Sequence, residues 1–166
     1  MYINCKTYFS FHYGTFSTRE LVETAVDKGV TVLTLTNINS TCDIWEFVRI
    51  CREHKVKPIV GAEIRNGDKL LYILIAANNK GYAWINEFLS EHLMAKKNFP
   101  EPSDEQTFFE NGWDGFVIYP LGAKKFSSLR LNERVGILPA EIFFTAASSP
   151  NIPFNCNRAR ISFASR

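Results

Sequence analysis

Three short runs decide the fold: Val30-Thr31-Val32-Leu33-Thr34-Leu35, then Ile44 through Cys51, then Lys57-Pro58-Ile59-Val60-Gly61-Ala62-Glu63-Ile64. The first is β-branched and alternating, which predicts a strand. In the second, Ile44, Phe47, Val48 and Cys51 recur at helical spacing. The third is again a strand. Strand, helix, strand over 35 residues is the pattern of a parallel βαβ unit.

Working outward, Tyr2 to Cys5 reads as an earlier strand. Ser17-Thr18-Arg19-Glu20 fits a capping box, with Ser17 at the N-cap and Glu20 reaching back. Leu21, Val22, Ala25 and Val26 give that helix an apolar stripe, and Gly29 ends it. Asp43 is expected to cap the second helix. Asn66-Gly67 is a hairpin signal, since both residues accept left-handed dihedrals. Lys69 to Ala76 then returns as an antiparallel partner, so a β-hairpin is expected at residues 59–76. Gly81 to His92 is amphipathic, with Trp84, Ile85, Phe88 and Leu89 on its apolar side. Phe99 to Asp114 holds two prolines and five acids with no base, and reads as a solvated connection. Strands are expected at Gly115 to Tyr119 and Val135 to Leu138, with a helical start at Pro139-Ala140-Glu141. Ser148 to Asn157 is turn-rich, and Arg160 to Ala164 is a candidate last strand.

The chain has 166 residues, 46% hydrophobic and 22% charged, with 14% aromatics and a formal charge of +2. This composition suits one globular domain, and it excludes collagen-like repeats, coiled coil and intrinsic disorder. The charge is too small to imply nucleic-acid binding by itself. No apolar run is long enough for a membrane span, and the N-terminus lacks a secretory pattern. Cys5, Cys42, Cys51 and Cys156 show no CxxC spacing. Reduced thiols in a cytoplasmic protein are the expectation, with two disulfides in a secreted protein as the alternative.

In α/β sheets, sites gather at the carboxyl ends of parallel strands. That points to Asn4-Cys5-Lys6, Thr36-Asn37-Ile38-Asn39 and Glu63. Tyr2 through Gly14 (YINCKTYFSFHYG), Leu33 through Asn39, Phe47-Val48-Arg49, Lys57 through Glu63 and Leu71 through Tyr82 together resemble the polymerase and histidinol phosphatase (PHP) domain. The version they resemble stands at the N-terminus of bacterial replicative DNA polymerases of the polymerase III alpha-subunit type. The resemblance covers residues 1–94 and thins beyond them. It implies an α/β fold, a distorted (βα) TIM-type barrel. A closed barrel of this kind takes about 250 residues, so residues 1–166 are expected to form a single PHP-like domain lacking the C-terminal part of the barrel.

Intact members of the family hold Mn, Zn or Mg ions on histidines and carboxylates for phosphoester hydrolysis. Here the family's His-x-His falls on Asn4 and Lys6, and an aspartate before the glycine becomes Tyr13. The Thr-Asp-His motif becomes Thr36-Asn37-Ile38, and a histidine opening the fourth strand falls on Leu71. Glu63 alone keeps a ligand type. Ile38 and Leu71 offer no lone pair, and Lys6 brings a positive charge where an ion would sit. A degenerate, metal-free site is therefore expected, with Lys6 and Glu63 as a candidate ion pair standing in for the lost ion. Independent solvent-facing roles for the two are the alternative.

His12 reads as a half-exposed loop residue, and His54 and His92 as helix-surface residues. Lys124, Lys125, Arg130 and Arg134, with Arg158, Arg160 and Arg166, form basic segments. A solvated face is the expectation for them, and DNA contact the alternative. Three functions follow from the resemblance. One is a structural module packed against downstream polymerase domains of the same protein, touching DNA only through that assembly. Another is a metal-dependent phosphoesterase or 3′–5′ exonuclease. The polymerase reaction itself is outside this chain's reach, because no pair of strand-borne aspartates suits two-metal nucleotidyl transfer.

Overall fold

A computed structural model describes residues 2–103 and 113–136. In chain order the elements are β1 (Tyr2–Cys5), α1 (Thr18–Asp27), β2 (Val32–Leu35), α2 (Ile44–Glu53), β3 (Lys57–Asn66), β4 (Lys69–Ala76), α3 (Asn79–Met94), β5 (Gly115–Pro120) and β6 (Glu133–Gly136). Among the described residues the strands form a single mixed sheet in the order β1-β2-β3-β4-β5-β6. β1, β2 and β3 run parallel, β4 is antiparallel to both neighbours, and β6 is parallel to β5. The sheet curls into a half-barrel whose two edges are β1 and β6.

Helices cover one face of this sheet. Val22, Leu33, Leu35, Phe47 and Ile50 pack beneath α1 and α2. Ile64, Leu71, Leu74, Ile85 and Val117 pack beneath α3. Side chains alternate along a strand, so the neighbouring residues turn to the concave face, where Ile3, Ile73 and Ile118 meet.

Local chemistry explains most boundaries. Ser17 and Glu20 form the full capping box of α1. Gly29 takes φ +66° just past the helix end, a conformation that costs glycine little. Asn78 caps α3 by accepting from the Lys80 and Gly81 amides.

Several expectations are corrected. Asp43 precedes α2 but makes no side-chain cap; its carboxylate is drawn instead to Asn37, Thr7 and Thr18. In the hairpin only Gly67 is left-handed, at φ +57°. Asn66 stays in β3, and its side-chain amide clamps both backbone polar groups of Phe99. At the described ends of the Phe99–Asp114 stretch, Phe99 and Trp113 are buried in the cluster under α3 rather than solvated; residues 104–112 lie outside the described residues. β6 begins at Glu133 rather than Val135. The elements expected at 139–141, 148–157 and 160–164, together with Cys156, Arg158, Arg160 and Arg166, lie outside the described residues.

Lys124 also leaves the basic segment. Its ammonium is fully buried and donates to both Glu133 carboxylate oxygens, at 3.0 and 2.9 Å. Tyr119 donates its hydroxyl to the same carboxylate, and so does the Arg130 backbone N–H. Cys5, Cys42 and Cys51 are free thiols. Burial pushes Cys5 up to about 11, against the opposing charge of Lys6, and pushes Cys51 up to about 12; neither is a thiolate at neutral pH.

Candidate functional site: a charged cluster at the strand exits

Glu63 lies on the concave face of β3, opposite Ile73 of β4. Its backbone is fixed on the other side by β2's exit. Its N–H donates to the Asn37 carbonyl, its carbonyl accepts from Asn39, and Ile38 forms a parallel bridge beside it. The side chain is 1% exposed, so its charge must be met by protein groups.

Three groups meet it. Lys6 Nζ stands 2.8 Å from Oε2, and Asn4 Nδ2 donates to the same oxygen at 3.0 Å. Arg65 Nε lies 2.6 Å from Oε1. Lys6 also donates to Asn4 Oδ1, which accepts from the Thr36 hydroxyl as well. Arg65 continues outward, donating to the Tyr13 hydroxyl at 2.9 Å, with its guanidinium 4.4 Å from the Tyr13 ring centre. Two cations thus face one carboxylate, and both carboxylate oxygens are engaged.

Burial alone would raise the Glu63 pKa. The hydrogen bond and charge of Lys6, with hydrogen bonds from Arg65 and Asn4, outweigh it and hold the carboxyl below its usual value. A depressed carboxylate pKa adds stability above the unfolded value of about 4.3, and that stability disappears as the pH falls through the folded value. Urea unfolding of the parent chain and a Glu63→Gln variant should therefore show a stability gap that is constant from pH 7 to about 5 and shrinks below it. A gap that widens in acid would contradict the assignment.

A second network, built around Asn37 and Asp43, adjoins the first. Asn37 Oδ1 accepts from the Thr7 N–H and the Ser10 hydroxyl, and its Nδ2 donates to Asp43 and to Thr7 Oγ1. Asp43 accepts in turn from Thr7 and Thr18. This ties the β1–α1 loop, the β2 exit and the start of α1 together. It also fixes Tyr13, because Gly14 packs so tightly on the Thr7 carbonyl that a Cβ there would lie 1.8 Å from the oxygen.

The structure thus brings Asn4, Lys6, Glu63 and, through Arg65, Tyr13 into one cluster. Asn37 sits in the neighbouring network and Ile38 beside the Glu63 backbone. Leu71 has no part in either; it is fully buried under α3. His12 is left-handed at φ +67°, with its ring against Phe11. His54 is the C-cap of α2. His92 sits between Phe88 and Phe99, with Nδ1 2.8 Å from the Phe88 carbonyl oxygen. Among the described residues no three His, Cys, Asp or Glu side chains lie close enough to hold a metal ion. No helix among them is long and apolar enough to cross a membrane.

Sequence reasoning missed Arg65, although its position two residues after Glu63 places both on one face of a strand. It also missed the partners of Asp43, for which the sequence carries no signal.

The PHP domain family matches residues 3–119. The error-prone DNA polymerase of Pseudomonas aeruginosa is 38% identical over 82 residues, which is 48% of this chain and 8% of that protein. The DNA polymerase III subunit alpha of Neisseria meningitidis is 27% identical over 124 residues, covering 70% of this chain and 11% of that protein. The chain therefore spans about a tenth of the length of these relatives. Among solved structures, an amidohydrolase from Chromobacterium violaceum overlaps 57% of this chain and 34% of its own, with 15% identity and a TM-score of 0.41. The match over residues 3–119, which takes in β1 to β5 and the whole charged cluster, makes this chain a member of the PHP domain family.

Proposed function

We propose that this chain is the PHP module of a bacterial replicative-type DNA polymerase and that its role there is structural, with a site that works without metal. The observation that carries the reading is the occupation of both Glu63 oxygens by Lys6 and Arg65. The donor set does not fit a divalent ion. Such an ion needs several anionic or imidazole donors, whereas this cluster offers one carboxylate, already neutralised, with a second cation beside it. An ion entering between Lys6 and Glu63 would have to displace an ammonium 2.8 Å from the carboxylate.

In this reading the protein's own cations replace the charge of the ions, and the cluster joins β1 to β3 where the curled sheet would otherwise hold an uncompensated carboxylate. The partner is the remainder of the polymerase, the setting is the cytoplasm, and DNA is contacted through that larger assembly. The relatives' names support the context, since both are DNA polymerases.

The experiment is a calorimetric titration with Mn²⁺ and Zn²⁺, paired with an assay for release of nucleotides from a 3′-labelled oligonucleotide. No stoichiometric uptake and no release are expected. Uptake of two ions with turnover, lost in Glu63→Ala, would establish the other reading, a metal-dependent phosphoesterase or 3′–5′ exonuclease.

A further inference from the structure

The Asn66-Gly67 pair carries chemistry beyond its place in the β3–β4 hairpin. An asparagine before glycine is the dipeptide most prone to modify itself, because glycine has no Cβ to hinder its backbone nitrogen from reaching the asparagine side chain. Gly67 is exposed and left-handed at φ +57°, and beyond its chain neighbours nothing lies within 4 Å of where a Cβ would stand. The nucleophile is therefore uncrowded.

The electrophile is held. Asn66 Oδ1 accepts from the Phe99 N–H at 2.8 Å, and Nδ2 donates to the Phe99 carbonyl at 2.9 Å. An amide can do both because it carries an acceptor and a donor on one carbon. Turning Cγ toward the Gly67 nitrogen breaks both bonds. The far side of the clamp is anchored in turn. Phe99 is buried, with its ring against Phe88 and His92. The Pro100 carbonyl accepts from the Tyr72 hydroxyl at 3.1 Å, and Glu101 meets Lys69 at 2.6 Å.

We propose that Asn66 is a self-modification site held in check by the Phe99 clamp, and that its conversion unlatches the 99–101 segment for good. When the segment lifts, the Gly67 nitrogen attacks Asn66 Cγ. The new C–N bond closes a five-membered imide, and the side-chain nitrogen leaves as ammonia, carrying the Gly67 proton. Solvent water then opens the imide at either carbonyl, leaving aspartate or isoaspartate. That product is ionised at neutral pH. One of its oxygens still accepts from the Phe99 N–H, but the other has no hydrogen to give and faces the Phe99 carbonyl. The segment that follows α3 thereby loses its tie to the hairpin. Nothing in this depends on the role proposed for Glu63.

The test is incubation of the 166-residue chain at mildly alkaline pH, folded and in urea, followed by digestion in acid and mass analysis of the peptide spanning Asn66. Reading that peptide keeps it separate from Asn111-Gly112, a second such pair outside the described residues. Conversion is expected in the folded chain, about tenfold slower than in urea, the factor that two net hydrogen bonds imply. Tyr72→Phe frees the Pro100 carbonyl and should speed conversion about threefold or more in the folded chain, with no change in urea. Hydrogen exchange gives an independent reading: in Asn66→Asp the Phe99 N–H should exchange about tenfold faster, with the amides of α1 and α2 unchanged. No conversion in the folded chain, equal rates folded and unfolded, no effect of Tyr72→Phe, or an unchanged Phe99 amide in Asn66→Asp would each overturn the proposal.

Discussion

Replacing Glu133 with alanine is expected to destabilise the chain by about 3–5 kcal/mol, the cost of leaving a buried charge without its partner. Glu133 and Lys124 are both fully buried. Without the carboxylate, the buried Lys124 ammonium loses its ion pair with Glu133, and the Tyr119 hydroxyl and the Arg130 N–H lose the acceptor they share. Burial, the largest cause of the raised Tyr119 pKa, remains in the variant and disfavours a compensating phenolate there. Against a typical total of about 5–15 kcal/mol, this loss leaves a chain that is marginal or unfolded at room temperature. The double variant Lys124→Met/Glu133→Leu should recover most of the loss, because replacing both ions of a buried pair is often neutral. Urea unfolding followed by circular dichroism measures both. A single variant within about 1 kcal/mol of the parent would show that the pair does not hold β5 and β6 together.

Glu63→Ala is expected to cost about 2–4 kcal/mol. It strands two cations, Lys6 and Arg65, whose side chains are only 13% and 14% exposed. That residual exposure screens them somewhat, so the loss is smaller than for Glu133. Removing Lys6 in the same chain, as Lys6→Met, should return part of the loss, giving a coupling energy of about 1–3 kcal/mol in a double-mutant cycle. A coupling near zero would mean that the ammonium is served equally well by Asn4 and water. The same cycle with Asn4→Ala separates the hydrogen bond from the charge.

The order of elements was legible in the sequence because it rests on local periodicity and caps. Leu33 and Leu35 alternate with Thr34 and Thr36, and Phe47, Ile50 and Cys51 recur at helical spacing. Ser17 and Glu20 lie three residues apart, as a capping box requires. Such signals need no knowledge of distant neighbours. Where a polar side chain had both a local and a distant use, the local reading failed. Asp43 reads as a helix cap and Asn66 as a turn residue, yet each finds a buried partner that local geometry does not reveal. Lys124 reads as one of several surface cations, and nothing in its neighbours says that Glu133, nine residues on, lies across a tight connection between parallel strands.

The candidate site divides in the same way. From sequence alone came the strand exits, which are a property of residue type and spacing, and the resemblance to the family. The resemblance in turn carried the expectation that Glu63 keeps a ligand type while Asn4, Lys6, Tyr13, Asn37, Ile38 and Leu71 stand where the family has its donors. Only the tertiary structure decided that Lys6 and Arg65 reach opposite oxygens of one carboxylate and that Leu71 lies outside the cluster. Curling the sheet brings Asn4 within hydrogen-bond reach of Glu63, 59 residues away. Which charges meet across that distance depends on register and curvature, and those are set by the packing of α1, α2 and α3 against one face of the sheet rather than by any residue's own preference.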